Sequence, residues 1–424
     1  MSENTITRPA QELGSREIIL EAALRLAGER GYVGTTMALV KRATGLPASS
    51  LYWHFPNKDE LLAEALEHGH DAWHLKPRWE KAPTQADLRD GLLQNLRRTT
   101  SDTVGDAPGF WRMGLLVAIE SGPTVGDAPR ERFRKIRGEV LQQFWHWWSM
   151  AVSLPPRKVD LLARLTLAAL DGLFIHVQAS GYAGIDPLLQ RLATGLAAVA
   201  ERLRAPLPSV SSPTTTHSSQ RSENSSRERL VHAVMEVAAA SGYEGASISR
   251  ICAAAGVPAS SLYWHFSGKE DLFASAVSES YREWGRTQTD WRTPPGAGSD
   301  WPRELTRKLT VTVAGVRGMP AFLRLGFLLL LPDRREPLPG RDTFLEVRRW
   351  ARRDFSEWLR GALGRTADDT EPDEMGTLLL ALCDGLAFAD TLERPGLAPT
   401  VVADVLTCLI TAPVEAPAPT GAAR

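Results

Sequence analysis

The chain is poor in cysteine, lacks any long apolar run, opens without a signal-like segment and carries almost no net charge. Cys252, Cys383 and Cys408 are its only cysteines, far apart and without Cys-x-x-Cys spacing, so neither a zinc knuckle nor a disulfide framework is indicated. They read as small buried helix side chains. The longest apolar stretch, around Phe327 to Leu331, falls short of the ~20 residues that span a bilayer. "MSENTITRPAQELGSRE" is polar, with no apolar centre of a secretion signal. We therefore read the chain as cytoplasmic, with no membrane partner. A net charge of −1 means that any nucleic-acid footprint must be local. A Gly-rich phosphate loop, a nucleophile elbow and a plausible catalytic triad are all missing, so an enzyme is not expected, nor a cofactor or metal. Strand alternation is missing as well.

What is present is a sequence written twice. "ASSLYWHF" begins at Ala48 and begins again at Ala259. "REIILEAALRLAGERGYVGTTMALVKRATGLPASSLYWHFPNKDELLAEAL" from Arg16 lies without a gap over "RERLVHAVMEVAAASGYEGASISRICAAAGVPASSLYWHFSGKEDLFASAV" from Arg227. The register continues: "FWRMG" from Phe110 meets "FLRLG" from Phe322, and "LDGL" from Leu170 meets "CDGL" from Cys383. Between the copies, residues 205–226 are rich in Ser, Thr and Pro, which is linker composition. Extended, about 22 residues reach up to ~70 Å. Segments such as "LLARLTLAALDGLFIHVQA" and "EMGTLLLALCDGLAFADTLE" repeat apolar residues at i, i+3, i+4. The fold class is all-α. The expected organisation is a tail (1–15), a small head (16–61), a helical domain (62–204), the linker (205–226), a second head (227–272), a second helical domain (273–412) and a tail (413–424).

Each head reads as three helices. The first, about Arg16 to Glu29, has Ile19, Ala22, Ala23 and Leu26 on one face and ends at Gly31. Thr36 caps the second, with Ser247 its counterpart, and Gly45 ends it. The third runs from Pro47 to Phe55, with Leu51 and Phe55 as its buried stripe. Ser49 and Trp53 then project opposite, flanked by Ala48 and Tyr52 on one edge and by Ser50 and His54 on the other. Ala259, Ser260, Ser261, Tyr263, Trp264 and His265 repeat that face. So aromatic a surface implies a covering partner. Its Ser, Tyr and His suit phosphate oxygens, and its small residues admit a groove. Lys58 and Lys269 open the next helix, where a cation and free N–H groups suit a phosphate. Local charge is thin, with six basic residues against three acidic between Arg16 and Lys58, and four against three between Arg227 and Lys269. Lys41 sits where a small residue suits helix packing, and its stem is expected to lie over the first helix.

Gly31-Tyr32, Thr36, Gly45 and "SSLYWHFPNKDELL" from Ser49, with their counterparts between Gly242 and Leu272, resemble the TetR/AcrR family of transcriptional regulators. The resemblance implies a helix-turn-helix DNA-binding head on a larger helical ligand-binding domain, with two units joined through their last two long helices. It implies double-stranded operator DNA as partner and a small hydrophobic or aromatic effector that releases it. Here both units lie in one chain, so a single-chain pseudodimer on a near-palindromic operator is expected, most readily as a repressor. The alternative is a helical ligand-binding or protein-interaction module that no longer binds DNA.

Thirteen tryptophans are many for this length. Trp111, Trp145, Trp148, Phe174 and His176 in the first unit, and Phe322, Phe327, Trp350 and Phe355 in the second, are candidate effector-lining residues, because ligand pockets are mostly apolar with few polar groups. "EHGHDAWH" places His70 and His74 one turn apart, a possible zinc face, but the second copy has no histidine there and a solvated helix is the plainer reading. In the repeated Asp171-Gly172 and Asp384-Gly385, the glycine reads as a site of close helix contact and the Asp as hydrogen-bonded locally.

Overall fold

In a computed structural model, the described residues are 14–74, 79, 87–104, 108–120, 126–205, 225–296, 298–393 and 398–413. They form eighteen helices and no strand. The first copy holds α1 (Ser15–Gly34), α2 (Met37–Thr44), α3 (Ala48–His54), α4 (Lys58–His74), α5 (Leu88–Val104), α6 (Pro108–Ile119), α7 (Asp127–Ala151), α8 (Pro156–Ser180) and α9 (Ile185–Arg202). The second repeats the plan as α10 (Ser226–Gly245), α11 (Ile248–Ala255), α12 (Ala259–His265), α13 (Lys269–Gly285), α14 (Trp301–Val316), α15 (Ala321–Leu330), α16 (Arg341–Leu363), α17 (Glu371–Leu392) and α18 (Pro399–Thr411). Most of the interdomain linker and the two tails lie outside the described residues.

Local chemistry sets the helix ends. The Thr36 hydroxyl accepts from the Leu39 N–H at 3.2 Å at the start of α2. Gly45, at φ 69°, closes α2 in the left-handed region. Ser225 and Glu228 form a reciprocal capping box at the start of α10. The first helix does not stop at Gly31: that residue breaks it at φ 72°, and helical structure resumes to Gly34. The sequence boundaries at 61/62 and 272/273 fall inside α4 and α13, so each head is continuous with its helical domain.

The two copies are joined through α8, α9, α17 and α18. Gly172 and Gly385 make the α8–α17 crossing close: a Cβ on Gly172 would overlap the Ala381 carbonyl oxygen, and one on Gly385 the Ala168 carbonyl oxygen. On α9, a Cβ on Gly195 would meet the Leu409 carbonyl of α18. Charge pairs bridge the same seam: Arg164–Glu393 at 2.7 Å, Arg202–Asp404 at 3.2 Å, and Arg191 to Glu371 and Glu374 at 3.4 Å. By length and composition, Glu371–Leu392 is apolar enough to cross a membrane, a stretch that counting uninterrupted apolar runs overlooks; here 72% of its apolar window is buried against the rest of the protein.

The repeated Asp-Gly pairs are structural. Asp171 takes Arg137 at 2.9 Å and the Trp111 indole N–H at 2.9 Å, and Asp384 takes Arg348 at 2.6 Å. Burial drives the Asp171 carboxyl up to about 6 against the pull of Arg137. His70 departs from the solvated-helix reading: it is buried, stacked on Trp73 and edge-on to Phe110. The His74 side chain lies outside the described residues, and no group of three or more possible metal ligands occurs among those described.

Candidate nucleic-acid interface and effector cavities

Leu51 and Phe55 are buried in the first head, and Leu262 and Phe266 in the second. They pin α3 and α12, so the remaining faces of these helices look outward. Tyr52 is 55% exposed and Trp53 81%; Tyr263 and Trp264 are 61% and 83% exposed. A largely exposed indole repeated at the same position in two copies is costly surface without a partner. Ser49, Ser260 and Ala259 are exposed, and Ala48, Ser50, Ser261, His54 and His265 are half-buried along the edges. Thr36 and Ser247 cap their helices beside this surface, Ser247 accepting from the Arg250 N–H at 3.3 Å.

Lys58 and Lys269 stand otherwise than expected. The Lys58 ammonium donates to the Tyr32 carbonyl at 3.2 Å and lies 3.8 Å from the centre of the Tyr32 ring. Lys269 does the same with Tyr243, at 2.7 Å and 3.9 Å. These cations bind the broken end of the first head helix, and partial burial lowers their pKa. Lys41 is exposed.

Glu120, just past α6, was not anticipated. It is fully buried and accepts from the Tyr32 N–H at 2.9 Å and the Val33 N–H at 3.3 Å, the two amides that the Gly31 break frees. Arg130 of α7 donates to its backbone carbonyl at 2.7 Å. Burial outweighs these donors and pushes the carboxyl up to about 7. Its only sequence signal is an acid ending an otherwise apolar run. The corresponding place in the second unit is Pro332. Next to it, Asp333 reaches across to the first unit, pairing with Arg112 at 2.7 Å and donating its N–H to the Gly28 carbonyl at 2.9 Å. Helix α1 also packs directly on α10, so the heads touch.

The candidate effector residues sort into three groups. Trp111 and Phe174 line a cavity of only about 20 Å³ with Trp73, Thr99, Val140 and Phe144. Phe355 lines a cavity of about 400 Å³ in the second unit, with Tyr281, Trp284, Gln288, Trp291, Thr312 and Asp354. The others line neither cavity. Trp148 is buried with its N–H on Thr166 at 3.1 Å, Phe327 packs between Phe344 and Phe388, and Phe322 packs on Tyr281 and Trp284. Trp145 and Trp350 face solvent. His176 is largely buried near Arg348 and Arg352 of the second unit; burial, then those charges, lower its pKa to about 4. It sits at the seam between units.

Two short helices, α2 and α3, joined at the Gly45 turn, with the second of them facing outward and the longer α1 packed across both, define the helix-turn-helix class. Residues 19–65 and 230–276 both match the family "Bacterial regulatory proteins, tetR family". The chain is a tandem TetR-like duplication. An uncharacterised HTH-type transcriptional regulator of Mycobacterium tuberculosis is 26% identical over 166 residues, covering 38% of this chain and 81% of the relative. The HTH-type transcriptional regulator BetI of Burkholderia mallei is 27% identical over 197 residues, covering 44% of this chain and 93% of BetI. Among solved structures, a Clostridium perfringens protein described as a fatty acid metabolism regulator matches at TM-score 0.33 and 14% identity, over 45% of this chain and all of its own.

Proposed function

We propose that the chain is a DNA-binding transcriptional regulator, a repressor whose one polypeptide supplies both halves of an operator-reading pseudodimer. The observation that carries this is the pair of identical recognition helices, each pinned by a buried Leu and Phe and each presenting an exposed Tyr-Trp face. Identical helices read identical half-sites, and paired modules of this kind reach half-sites about one turn apart, ~34 Å. The relatives, named as HTH-type regulators, support the same reading. A small molecule relieves repression by binding in the helical domains. The cavities there, about 400 Å³ against about 20 Å³, favour the second unit as the main effector site.

Gel shift and anisotropy with DNA from the protein's own promoter test the core claim. Tyr52→Ala with Tyr263→Ala should weaken binding on all sequences and leave its salt dependence unchanged, because a neutral hydroxyl displaces no counterion, whereas changes at Ser49 and Trp53 should shift sequence preference. Unchanged affinity in the double Tyr variant refutes this docking.

A further inference from the structure

The large cavity of the second unit has a chemical bias in its polar groups. The Trp284 indole N–H is spent on the Gly315 carbonyl at 2.8 Å, and the Trp291 N–H on the Thr312 hydroxyl at 3.2 Å. Their rings are thereby fixed, and both donors are consumed. Besides the Tyr281 and Thr289 hydroxyls, two further acceptors line the cavity. The Gln288 Oε1 is buried without a hydrogen-bond partner. The Asp354 side chain is 19% exposed; it makes a loose ion pair with Arg292 at 3.5 Å, whose own side chain is 83% exposed, and also feels the charges of Arg353 and Glu357. The other lining carboxylate, Asp290, is committed to its turn, accepting from the Arg292 N–H at 2.9 Å and the Thr293 hydroxyl at 2.6 Å. Arg282 and Arg286 form an exposed rim. In contrast, the interior offers aromatic faces, an orphan carbonyl and a half-desolvated carboxylate.

We propose that this cavity binds a small primary or secondary ammonium on an apolar or aromatic body, with the nitrogen between Asp354 and Gln288 Oε1 and the body among Trp284, Trp291 and Phe355. The charge answers Asp354, the N–H groups answer Gln288, and the rings add cation–π attraction. An orphan buried acceptor is costly until a donor reaches it, so a donor-bearing ligand gains where an isostere without one does not. Rim arginines projecting into solvent are screened at physiological salt and repel the buried nitrogen weakly. This proposal rests on the reading of the cavity as the effector site, and the two can fail separately.

Three molecules sharing one ring serve as probes: 2-phenylethylamine, 2-phenylethanol and phenylacetate, titrated into the full chain by calorimetry and tryptophan fluorescence. The amine should bind about tenfold more tightly than the alcohol, and phenylacetate should bind most weakly. Asp354→Asn should remove the amine's advantage while leaving the alcohol's affinity unchanged. Gln288→Leu should erode that advantage by a smaller factor. Strongest binding by phenylacetate, equal binding by amine and alcohol, no binding by any probe, or indifference to Asp354→Asn overturns the proposal. DNA release is read in parallel. Amine binding through Asp354 without DNA release sinks the effector reading and leaves the ammonium site standing. DNA release by amine and alcohol alike does the reverse.

Discussion

Glu120 is a single residue with contacts to three parts of the molecule: it follows the apolar helix α6, takes up the amides freed by the Gly31 break in α1, and lies beside Gly242 of the other head. A Cβ at Gly31 would run into its carboxylate, so that glycine is required both for its backbone angle and for the space. Because burial raises the folded pKa to about 7, above the range of a carboxyl in an unfolded chain, the folded state holds a proton there that the unfolded state has lost. The stabilising effect is full below about pH 4.5 and is lost as pH rises through about 7. Glu120→Gln keeps an acceptor but removes the charge. Melting curves should show wild type losing stability relative to Glu120→Gln between pH 5 and pH 8, by roughly 2 kcal/mol on this shift. Parallel pH profiles for the two proteins would refute the assignment. Lys58, Arg130 and the Tyr32–Asp59 hydrogen bond face the same pocket, so Lys58→Met should raise the carboxyl further and shift the transition upward in pH.

At the scale of elements, the α8–α17 crossing brings the two copies into backbone contact. Gly172→Ala or Gly385→Ala pushes a methyl group into the facing backbone carbonyl, which no rotamer change relieves. Each should cost about 1–3 kcal/mol or more, seen as a lower Tm and a looser hydrodynamic radius, whereas Gly138→Ala, with open space, should not. Much of this level was legible beforehand. Repetition exposed the duplication, the i, i+3, i+4 period gave the helices, and Gly45, Thr36 and the Leu51–Phe55 stripe placed the outward face of α3. Partners were not legible, because periodicity reports that a side chain is buried and not against what. Nothing near Lys58 in sequence announces the Tyr32 carbonyl it binds. Trp148 and Phe174 look alike as letters, yet one fills the core and the other borders a cavity.

At the scale of the whole molecule, each copy's bundle helices find their partner within the chain. The tether holds that partner at high effective concentration. Light scattering should therefore report one chain in solution, and titration at nanomolar protein one chain per operator, with no loss of DNA affinity on dilution. Two chains per site would refute the pseudodimer while leaving the helix-turn-helix assignment intact. The heads are alike in what they present and unlike in how they are held, with Glu120 bracing one and an Arg334–Glu244 pair facing the other. Glu120→Ala, which removes the acceptor, should therefore loosen the first head selectively, seen as faster amide exchange in α1 than in α10.

The α8–α9–α17–α18 seam also has a genetic consequence. In a regulator assembled from separate subunits, a defective copy enters mixed dimers and poisons the good one. Here both halves of the seam are made together and close on each other, so on the pseudodimer reading a foreign subunit has no place to exchange into. An allele carrying Tyr52→Ala and Tyr263→Ala, expressed beside the wild type, should therefore be recessive at the operator, and a reporter strain holding both alleles would show it.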